Sequence, residues 1–254
     1  MSYTKSKFFS INRKKRIKYF FLNKKSQITV VFFHGFMSDM IGSKPVAIQK
    51  YCQIAKVNFI KFEYSGHGKS QGIFTEGNIS KWTADAKKLI KSKVKKNTKL
   101  IFIGSSMGSW IAFNLFLLFK KKIIGFIGIA SAPEFLERLI WKKFSKKIKK
   151  IIMKKKIYYL KHGDYNYPIT KQLILDGRKN KVLNKKINLN IPLVLFHGLK
   201  DEVVPLNIAK KILEVCKKSK KKLIKIKNGD HRLSRKSDLK KICKELKLII
   251  TNHS

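Results

Sequence analysis

Short, mostly apolar segments alternate along this chain with longer segments of helical periodicity, and this alternation constrains the fold more than any other feature. The short segments, each four to seven residues long, are Thr29–Phe33, Val57–Phe62, Leu100–Ile103, Ile123–Ile129, Leu193–Phe196 and Leu223–Ile226. Apolar strands without strict polar alternation are typical of parallel sheets covered on both faces. The pattern therefore predicts a single α/β domain over residues 1–254, with a mostly parallel central sheet and helices on both faces.

The first 22 residues carry two further strand patterns, Phe8–Ile11 and Ile17–Phe21, on either side of a polar turn. This basic start has neither the apolar core nor the small-residue cleavage site of a secretory signal peptide. No apolar run reaches the roughly 20 residues that a membrane span requires, so no transmembrane segment is expected. The expected location is the cytoplasm of a bacterial-type cell, with a mitochondrial transit peptide as the second interpretation.

One long segment departs from the alternation of strands and helices. About sixty residues separate the strand that ends near Ala130 from the one that begins at Pro192, and no clear strand pattern lies between them. Glu134–Lys156 predicts one or two basic helices, and Asp164–Arg178 predicts a shorter, irregular piece. Insertions of this length usually serve function, so residues 134–190 are predicted to form a helical lid. A helical excursion with only a packing role is the alternative.

A G-x-S-x-G pattern with Ser106 at its centre is the first motif that carries chemistry. It reads Gly104-Ser105-Ser106-Met107-Gly108 and lies between a predicted strand and an apolar helix predicted for Ser106–Phe119. A sharp strand–turn–helix connection of this kind is the setting of a nucleophile elbow, in which the central serine is exposed at the sheet edge. Ser106 is therefore the candidate nucleophile, whereas Ser105 lies off centre and is expected to pack or hydrogen-bond locally.

A serine hydroxyl needs a general base, and a base needs a group that orients it. His231 follows the predicted strand Leu223–Ile226, and Asp201 follows the predicted strand Leu193–Phe196. The carboxyl ends of parallel strands meet at one edge of a sheet, where sites of open α/β folds lie. We therefore expect Ser106, Asp201 and His231 to act as nucleophile, acid and base.

Other carboxylates and histidines are weaker candidates for these roles. Asp230 adjoins His231 and is interpreted as a residue that shapes the loop, because neighbours in sequence rarely point at each other. Glu202 would point away from the site if the preceding aspartate points into it. Three further histidines offer no catalytic argument, and they are His197, His162 and His253.

Two backbone amides are the expected donors to an oxyanion. One is the N–H of Met107, directly after the candidate nucleophile. The other lies in the loop after the first buried strand and is assigned to Phe36, because Gly35 before it allows a close approach of the backbone. Since these donors belong to the backbone, substitution of a side chain cannot remove them.

No cofactor and no metal ion are expected. The glycine-rich loop Tyr64–Ser70 lacks the spacings of dinucleotide and P-loop motifs. It is interpreted as a turn that frames the pocket, with His67 at the entrance or exposed. Cys52, Cys216 and Cys243 lie far apart and match neither a disulfide framework nor a metal site.

A net charge of +45 raises the question of a nucleic-acid partner. Lysines account for 53 of the 59 basic residues and are spread along the whole chain. Proteins that read bases or clamp phosphates favour the bidentate fork of arginine, so the charge is interpreted as solvated faces encoded by AT-rich DNA. No specific nucleic-acid partner is expected. A basic protein that binds nucleic acid or anionic membranes is the less favoured alternative, and its affinity would fall with salt and be independent of Ser106.

Five stretches resemble the α/β-hydrolases: HGFMSDMIGSKPVAIQKYC, FEYSGHGKSQG, GSSMGSW, LFHGLKDEVVP and GDHRLS. They are most similar to the family of the mitochondrial palmitoyl-protein thioesterase that also acts as a mycophenolic acid acyl-glucuronide esterase. The resemblance implies an α/β-hydrolase fold, with Ser106 as the nucleophile, Asp201 as the acid and His231 as the base. It also implies a small ester or an S-acylated substrate.

The sequence therefore predicts a cofactor-independent serine hydrolase that cleaves carboxylic ester or thioester bonds through an acyl-enzyme. A peptidase or a carbon–carbon hydrolase is the alternative, since either would keep the three catalytic residues and change the pocket. A dehalogenase or an epoxide hydrolase is disfavoured, because serine and not aspartate occupies the centre of the elbow.

Overall fold

An eight-stranded sheet lies at the centre of the structure, a computed structural model that describes residues 5–163 and 165–253. The strands are β1 Lys7–Asn12, β2 Lys15–Leu22, β3 Ile28–Phe33, β4 Asn58–Phe62, β5 Lys99–Ser105, β6 Ile123–Ile129, β7 Ile157–His162, β8 Tyr165–Thr170, β9 Pro192–Gly198 and β10 Lys220–Ile226. The α-helices are α1 Ser43–Ile54, α2 Ile79–Lys93, α3 Met107–Leu115, α4 Lys146–Lys155, α5 Lys171–Lys179, α6 Leu206–Val215 and α7 Lys236–Thr251.

The sheet is mostly parallel, as the sequence predicts. Its order is β1-β2-β4-β3-β5-β6-β9-β10, and the six strands from β4 to β10 in this order pair in parallel. β1 and β2 add an antiparallel pair at one edge, as expected for strands joined by a tight turn that is too short for a crossover. The carboxyl ends of β3, β5, β9 and β10 consequently open on the same edge of the sheet.

Each central strand contributes side chains to two separate apolar layers. In β3, Val31 and Phe33 pack in one layer, and Val30 and Phe32 pack in the other. The first layer is covered by α2, α3 and α6, and the second by α1 and α7. Burial on both faces explains why these strands are continuous apolar runs in the sequence.

The segment between β6 and β9 contains a β-hairpin, so the expectation that it holds no strand is wrong. β7 and β8 pair in antiparallel fashion outside the main sheet, with Gly163 in the turn at φ +57°. The piece predicted to be irregular, Asp164–Arg178, is instead strand β8 followed by helix α5, and Asp164 itself lies outside the described residues. The signal was missed because these strands mix tyrosine and isoleucine with exposed polar residues and carry no buried apolar run.

Residues 136–155 are mostly helical, as predicted for Glu134–Lys156, whereas residues 180–191 form turns and irregular structure. A π-helical turn over Leu136–Ile140 and a 3₁₀ turn over Trp141–Lys143 precede α4. The apolar helix predicted to run to Phe119 ends earlier, at Leu115, and turns follow it. In residues 5–163 and 165–253, no helix combines the length and the apolar character needed to cross a membrane.

Candidate active site

The turn between β5 and α3 places Ser106 in an unusual backbone conformation. Its φ is +51° and its ψ is −118°, a combination that a residue with a side chain adopts only under strain. The glycines on either side make this turn possible. A Cβ atom on Gly104 would lie 2.6 Å from the backbone nitrogen of Ser109, and one on Gly108 would overlap the carbonyl oxygen of Phe33.

Backbone hydrogen bonds hold this strained turn in place. The Ser106 N–H donates to the carbonyl oxygen of Ile129 in β6 at 2.9 Å, and the Ser106 carbonyl accepts from the amides of Ser109 and Ala132. The off-centre Ser105 is buried at the end of β5, as its position in the motif predicts. The Ser106 hydroxyl is thereby fixed at the carboxyl edge of the sheet.

The structure brings Ser106, His231 and Asp201 together at this edge. The Nε2 atom of His231 lies 3.2 Å from the Ser106 Oγ, and its Nδ1 atom lies 2.9 Å from the Asp201 Oδ2. The Asp201 side chain is fully buried, whereas the imidazole remains one-quarter exposed. These distances fit a nucleophile, a base and an orienting carboxylate.

Contacts with His231 and with two backbone amides favour the ionised form of Asp201 despite its burial. Burial favours its neutral form, but hydrogen bonding and charge interaction with His231, together with the amides of Val204 and Val203, lower its pKa below the ordinary value. Those two amides donate to Oδ1 at 2.8 and 2.9 Å. The carboxylate therefore fixes the imidazole tautomer in which Nδ1 carries the proton and Nε2 faces the serine.

The two predicted oxyanion donors flank Ser106. A Cβ atom on Gly35 would lie 3.5 Å from the Cβ of Ser106, so the loop that carries Phe36 rests directly against the candidate nucleophile. Met107 is the first residue of α3, where the helix dipole favours negative charge. In the described part of the chain, neither the Phe36 nor the Met107 amide donates to a protein acceptor.

His34 and Tyr64 support the loop that carries Phe36, and sequence reasoning did not identify them. The His34 Nδ1 contacts the carbonyl oxygen of Gly35 at 2.8 Å, and the Tyr64 amide and hydroxyl donate to the Nε2 and carbonyl oxygen of His34. Burial lowers the pKa of His34 to about 4, so the ring is neutral at pH 7 and can accept at Nε2. Their position at the ends of two adjacent buried strands was the available signal.

His67 is buried, so its expected place at an entrance or on the surface is wrong. It is 2% exposed, and its ring packs against those of His34, Tyr64, Phe74 and Trp82. The glycines on both sides of His67 have positive φ angles, and the His67 ring contacts His34 directly before the loop that carries Phe36. Burial lowers the pKa of His67 well below its usual value.

The remaining candidates lie outside the hydrogen-bonded chain of Ser106, His231 and Asp201. The Asp230 carboxylate accepts a hydrogen bond from the Leu233 amide and so shapes its loop, as predicted. Glu202 is exposed. His197 is buried at the end of β9, and His253 contacts the carbonyl of Ile249. Within residues 5–163 and 165–253, no cluster of three histidine, cysteine or carboxylate side chains could hold a metal ion.

Sequence comparison identifies related proteins across most of the chain. The sequence profile of the Hydrolase_4 family, described as serine aminopeptidase, S33, matches residues 24–173. The mitochondrial palmitoyl-protein thioesterase ABHD10 of Mus musculus is 30% identical over 214 residues, which cover 83% of this chain and 71% of the mouse protein. The Homo sapiens protein of the same name is 28% identical over 218 residues, with 83% and 69% covered.

Solved structures show the same architecture. A putative hydrolase from Agrobacterium vitis S4 superposes with a TM-score of 0.91 at 28% identity, covering 98% of both chains. The α/β-hydrolase domain-containing protein 10 from mouse superposes with a TM-score of 0.88 at 26% identity, covering 98% of this chain and 100% of its own. The α/β-hydrolase fold predicted from the sequence motifs is thereby confirmed.

Proposed function

Since this chain belongs to the Hydrolase_4 family of α/β-hydrolases, described as serine aminopeptidase, S33, we propose that it cleaves carboxylic ester or thioester bonds with Ser106 as the nucleophile. One observation carries the proposal. The Ser106 hydroxyl, the His231 imidazole and the Asp201 carboxylate form a continuous chain of contacts at 3.2 and 2.9 Å on a strained elbow. A turn of this conformation persists only where the surrounding structure holds it, which supports a functional role for Ser106.

The reaction follows from the placement of these groups. His231 takes the Ser106 proton at Nε2 while Oγ attacks the substrate carbonyl carbon, and Asp201 stabilises the imidazolium that results. The carbonyl oxygen becomes an oxyanion that accepts from the Phe36 and Met107 amides. The imidazolium then protonates the departing alcohol or thiol, and an acyl-enzyme remains.

Hydrolysis of the acyl-enzyme reverses the same proton path. His231 removes a proton from water as the water oxygen attacks the acyl carbon, and it returns that proton to Ser106 Oγ as the carboxylic acid leaves. Every step uses side chains and backbone amides of this chain, so the proposed reaction requires no cofactor.

For the substrate, we propose S-acyl-cysteine thioesters or similarly activated esters such as acyl glucuronides. The mouse and human relatives are named palmitoyl-protein thioesterases, which supports the thioester. Peptide hydrolysis is the second candidate, because the description of the matching family is serine aminopeptidase, S33. A panel of matched thioester, oxygen-ester and aminoacyl-amide substrates separates the two, since a peptidase would cleave the amide at a measurable Ser106-dependent rate and a thioesterase would not.

We further propose that residues 134–190 form a lid within a single domain. The support is aromatic: the Phe36 ring contacts Phe135 at 5.4 Å and stacks on Tyr167 at 6.0 Å between ring centroids. The segment therefore covers the loop that carries one of the proposed oxyanion donors.

The cytoplasmic location stays a prediction. The relatives are named as mitochondrial proteins, so localisation of a fluorescent fusion distinguishes the two compartments.

The test of the proposed function compares Ser106→Ala with Ser105→Ala. Ser105 is the adjacent serine of the same motif and is buried, so it controls for loss of a hydroxyl in this turn. Ser106→Ala is expected to abolish both hydrolysis of p-nitrophenyl esters and labelling by a fluorophosphonate probe, whereas Ser105→Ala retains both. Wild-type activity in Ser106→Ala would overturn the proposal.

A further inference from the structure

The loop that carries His231 contains a second strained residue. Leu233 has a φ of +46°, which is rare for a residue with a large branched side chain, and its side chain is fully buried. The φ angle of a residue orients the peptide that precedes it. Whatever holds the Arg232–Leu233 peptide therefore also fixes the course of the backbone directly after the catalytic imidazole.

Both polar groups of that peptide are held. The Leu233 N–H donates to the Oδ1 of Asp230 at 2.9 Å. The Arg232 carbonyl accepts from the Ser234 hydroxyl at 3.1 Å and from the ammonium of Lys44. The same ammonium lies 3.4 Å from the Ser234 Oγ. Lys44 is the charged donor in this set and the one that comes from outside the loop.

Lys44 reaches the loop from an element that is distant in the chain. It is the second residue of α1, the helix that follows the loop carrying Phe36. A cation in the first turn of a helix is unfavourable for the helix dipole, so its position there is not explained by helix stability. Its contacts instead connect the oxyanion side of the site to the histidine side.

We propose that Lys44 is a positioning residue for His231: its ammonium holds the Arg232–Leu233 peptide in the orientation that aims the imidazole at Ser106. This inference rests on the proposed function, because it takes His231 as the general base. Without the ammonium, the Arg232 carbonyl keeps only the Ser234 hydroxyl as a donor, so the strained φ of Leu233 is held less firmly and relaxes toward a negative value. The relaxation would move the imidazole away from its 3.2 Å contact with Ser106.

The charged groups around Lys44 make its role testable by pH. Burial has the largest influence on the ammonium and lowers its pKa to about 8. The negative charges of Asp230 and Asp238 raise the pKa of Lys44, whereas the positive charge of Arg232 lowers it. Lys44 is therefore charged at pH 7 and loses its charge as the pH rises through about 8.

The first experiment measures kcat and KM for p-nitrophenyl butyrate in Lys44→Met, with Lys50→Met as the matched control. Methionine keeps the length of the apolar stem and removes the donor, and Lys50 is an exposed lysine on the same helix. We expect kcat of Lys44→Met to fall about 10-fold to 100-fold, because small misplacements of a catalytic group cause rate losses of this size. KM should stay within about twofold, since uniform substrate binding is not affected. Lys50→Met should match the wild type.

The second experiment compares the alkaline limb of kcat in the wild type and Lys44→Arg. The wild type should lose activity above about pH 8, as the Lys44 ammonium becomes a neutral amine. Arginine keeps its charge throughout this range, so the decline should be absent or shifted upward in Lys44→Arg. This comparison tests the positioning role of Lys44 even if Lys44→Met does not fold, because it does not use that variant.

The outcomes separate this inference from the proposed function. Activity in Ser106→Ala equal to that of the wild type would overturn both. Ser106-dependent activity with the same kcat in folded Lys44→Met as in the wild type would overturn the inference alone. An alkaline decline that persists unchanged in Lys44→Arg would do the same.

Discussion

The carboxyl edge of the main sheet and the inserted segment, residues 134–190, are built on different principles. At the sheet edge, glycines pack against backbone, and the strained Ser106 turn has its amide and carbonyl satisfied by neighbouring elements. In the inserted segment, β7 and β8 pair outside the main sheet, and Ile152 is the buried residue of the lysine-rich α4. The comparison indicates that the geometry of the reaction resides in the sheet edge and that the inserted segment is freer to vary.

The two regions meet at the Phe36 ring. From the sheet side the ring packs against Phe74 and Trp82, and from the inserted segment it packs against Phe135 and Tyr167. These contacts are apolar and involve no atom of the proposed hydrogen-bonded triad. Substitutions in the two regions should therefore differ most in their effect on catalysis.

The largest difference is expected between Asp201→Asn and Glu137→Gln. The asparagine keeps the shape of the carboxylate, but it can donate to the Nδ1 of His231 and so favours the wrong tautomer. We expect kcat to fall about 10³-fold to 10⁴-fold. Glu137 pairs with Arg178 in the inserted segment at 2.8 Å, and both side chains are about one-third exposed, so its loss should change kcat less than about twofold.

Rate measurements on matched, folded preparations test this contrast. Comparable losses in the two variants would show that the inserted segment participates in the chemistry and would remove the distinction between the regions. A loss below about tenfold in Asp201→Asn would remove Asp201 from the proposed triad.

The second difference concerns stability and compares the same substitution at two glycines. A Cβ on Gly108 would overlap the backbone of Phe33, which cannot move without disturbing β3, whereas a Cβ on Gly163 would meet nothing within 4 Å. Gly108→Ala should lower the free energy of unfolding by about 3 kcal/mol or more. Gly163→Ala should lower it by about 1 kcal/mol, because its φ of +57° is unfavourable for alanine. Urea unfolding measures both, and equal losses would contradict the contrast.

The same contrast explains what the sequence predicts and what it does not. Ser106 could be identified because strand, glycine and serine signals are adjacent in the chain. Asp201 could be identified because it follows the buried strand β9, and His231 because it follows the short apolar pattern Leu223–Ile226. The β7–β8 hairpin was missed because its strands are not buried in the main sheet. Lys44 acts through contacts between segments distant in sequence, so no local pattern reveals it. For His34 and Tyr64, the sequence shows only that each follows a buried strand and not that the two side chains contact each other.

The third difference is sensitivity to acid, which we expect to come from the sheet edge. Burial lowers the pKa of His34 to about 4, below the ordinary value of 6.5. The unfolded chain therefore binds a proton that the folded chain does not as the pH falls from about 6.5 to 4. Because the unfolded state binds more protons, stability falls over this window, by about 3 kcal/mol for this group.

Urea unfolding at several pH values measures this loss. His34→Gln should reduce the slope between pH 6.5 and 4 without abolishing it, because burial also lowers the pKa of His67. A slope equal to that of the wild type would show that His34 is not the source. Tyr167→Phe, in the inserted segment, should leave the slope unchanged because it alters no group that titrates in this window.

The smallest expected effect concerns the charge of the inserted segment. Exposed lysines on α4 lie in the segment proposed to cover the site, and three of them are Lys146, Lys147 and Lys150. Lysines here would raise the local concentration of anionic esters, such as acyl glucuronides or acyl-CoA thioesters, and salt would screen the attraction over about 10 Å at 0.1 M. We expect kcat/KM for an anionic ester to fall about threefold to tenfold between low and high salt, whereas that for a neutral ester stays constant.

Two triple variants locate this effect. Replacing Lys146, Lys147 and Lys150 with glutamine should remove most of the salt dependence for the anionic ester. The matched control replaces three exposed lysines of α7, a helix that packs in the other apolar layer, and these are Lys240, Lys241 and Lys244. Both variants lose the same net charge, so only position distinguishes them. Equal changes in the two variants would assign steering to the overall charge of +45 and would leave the inserted segment with no electrostatic role of its own.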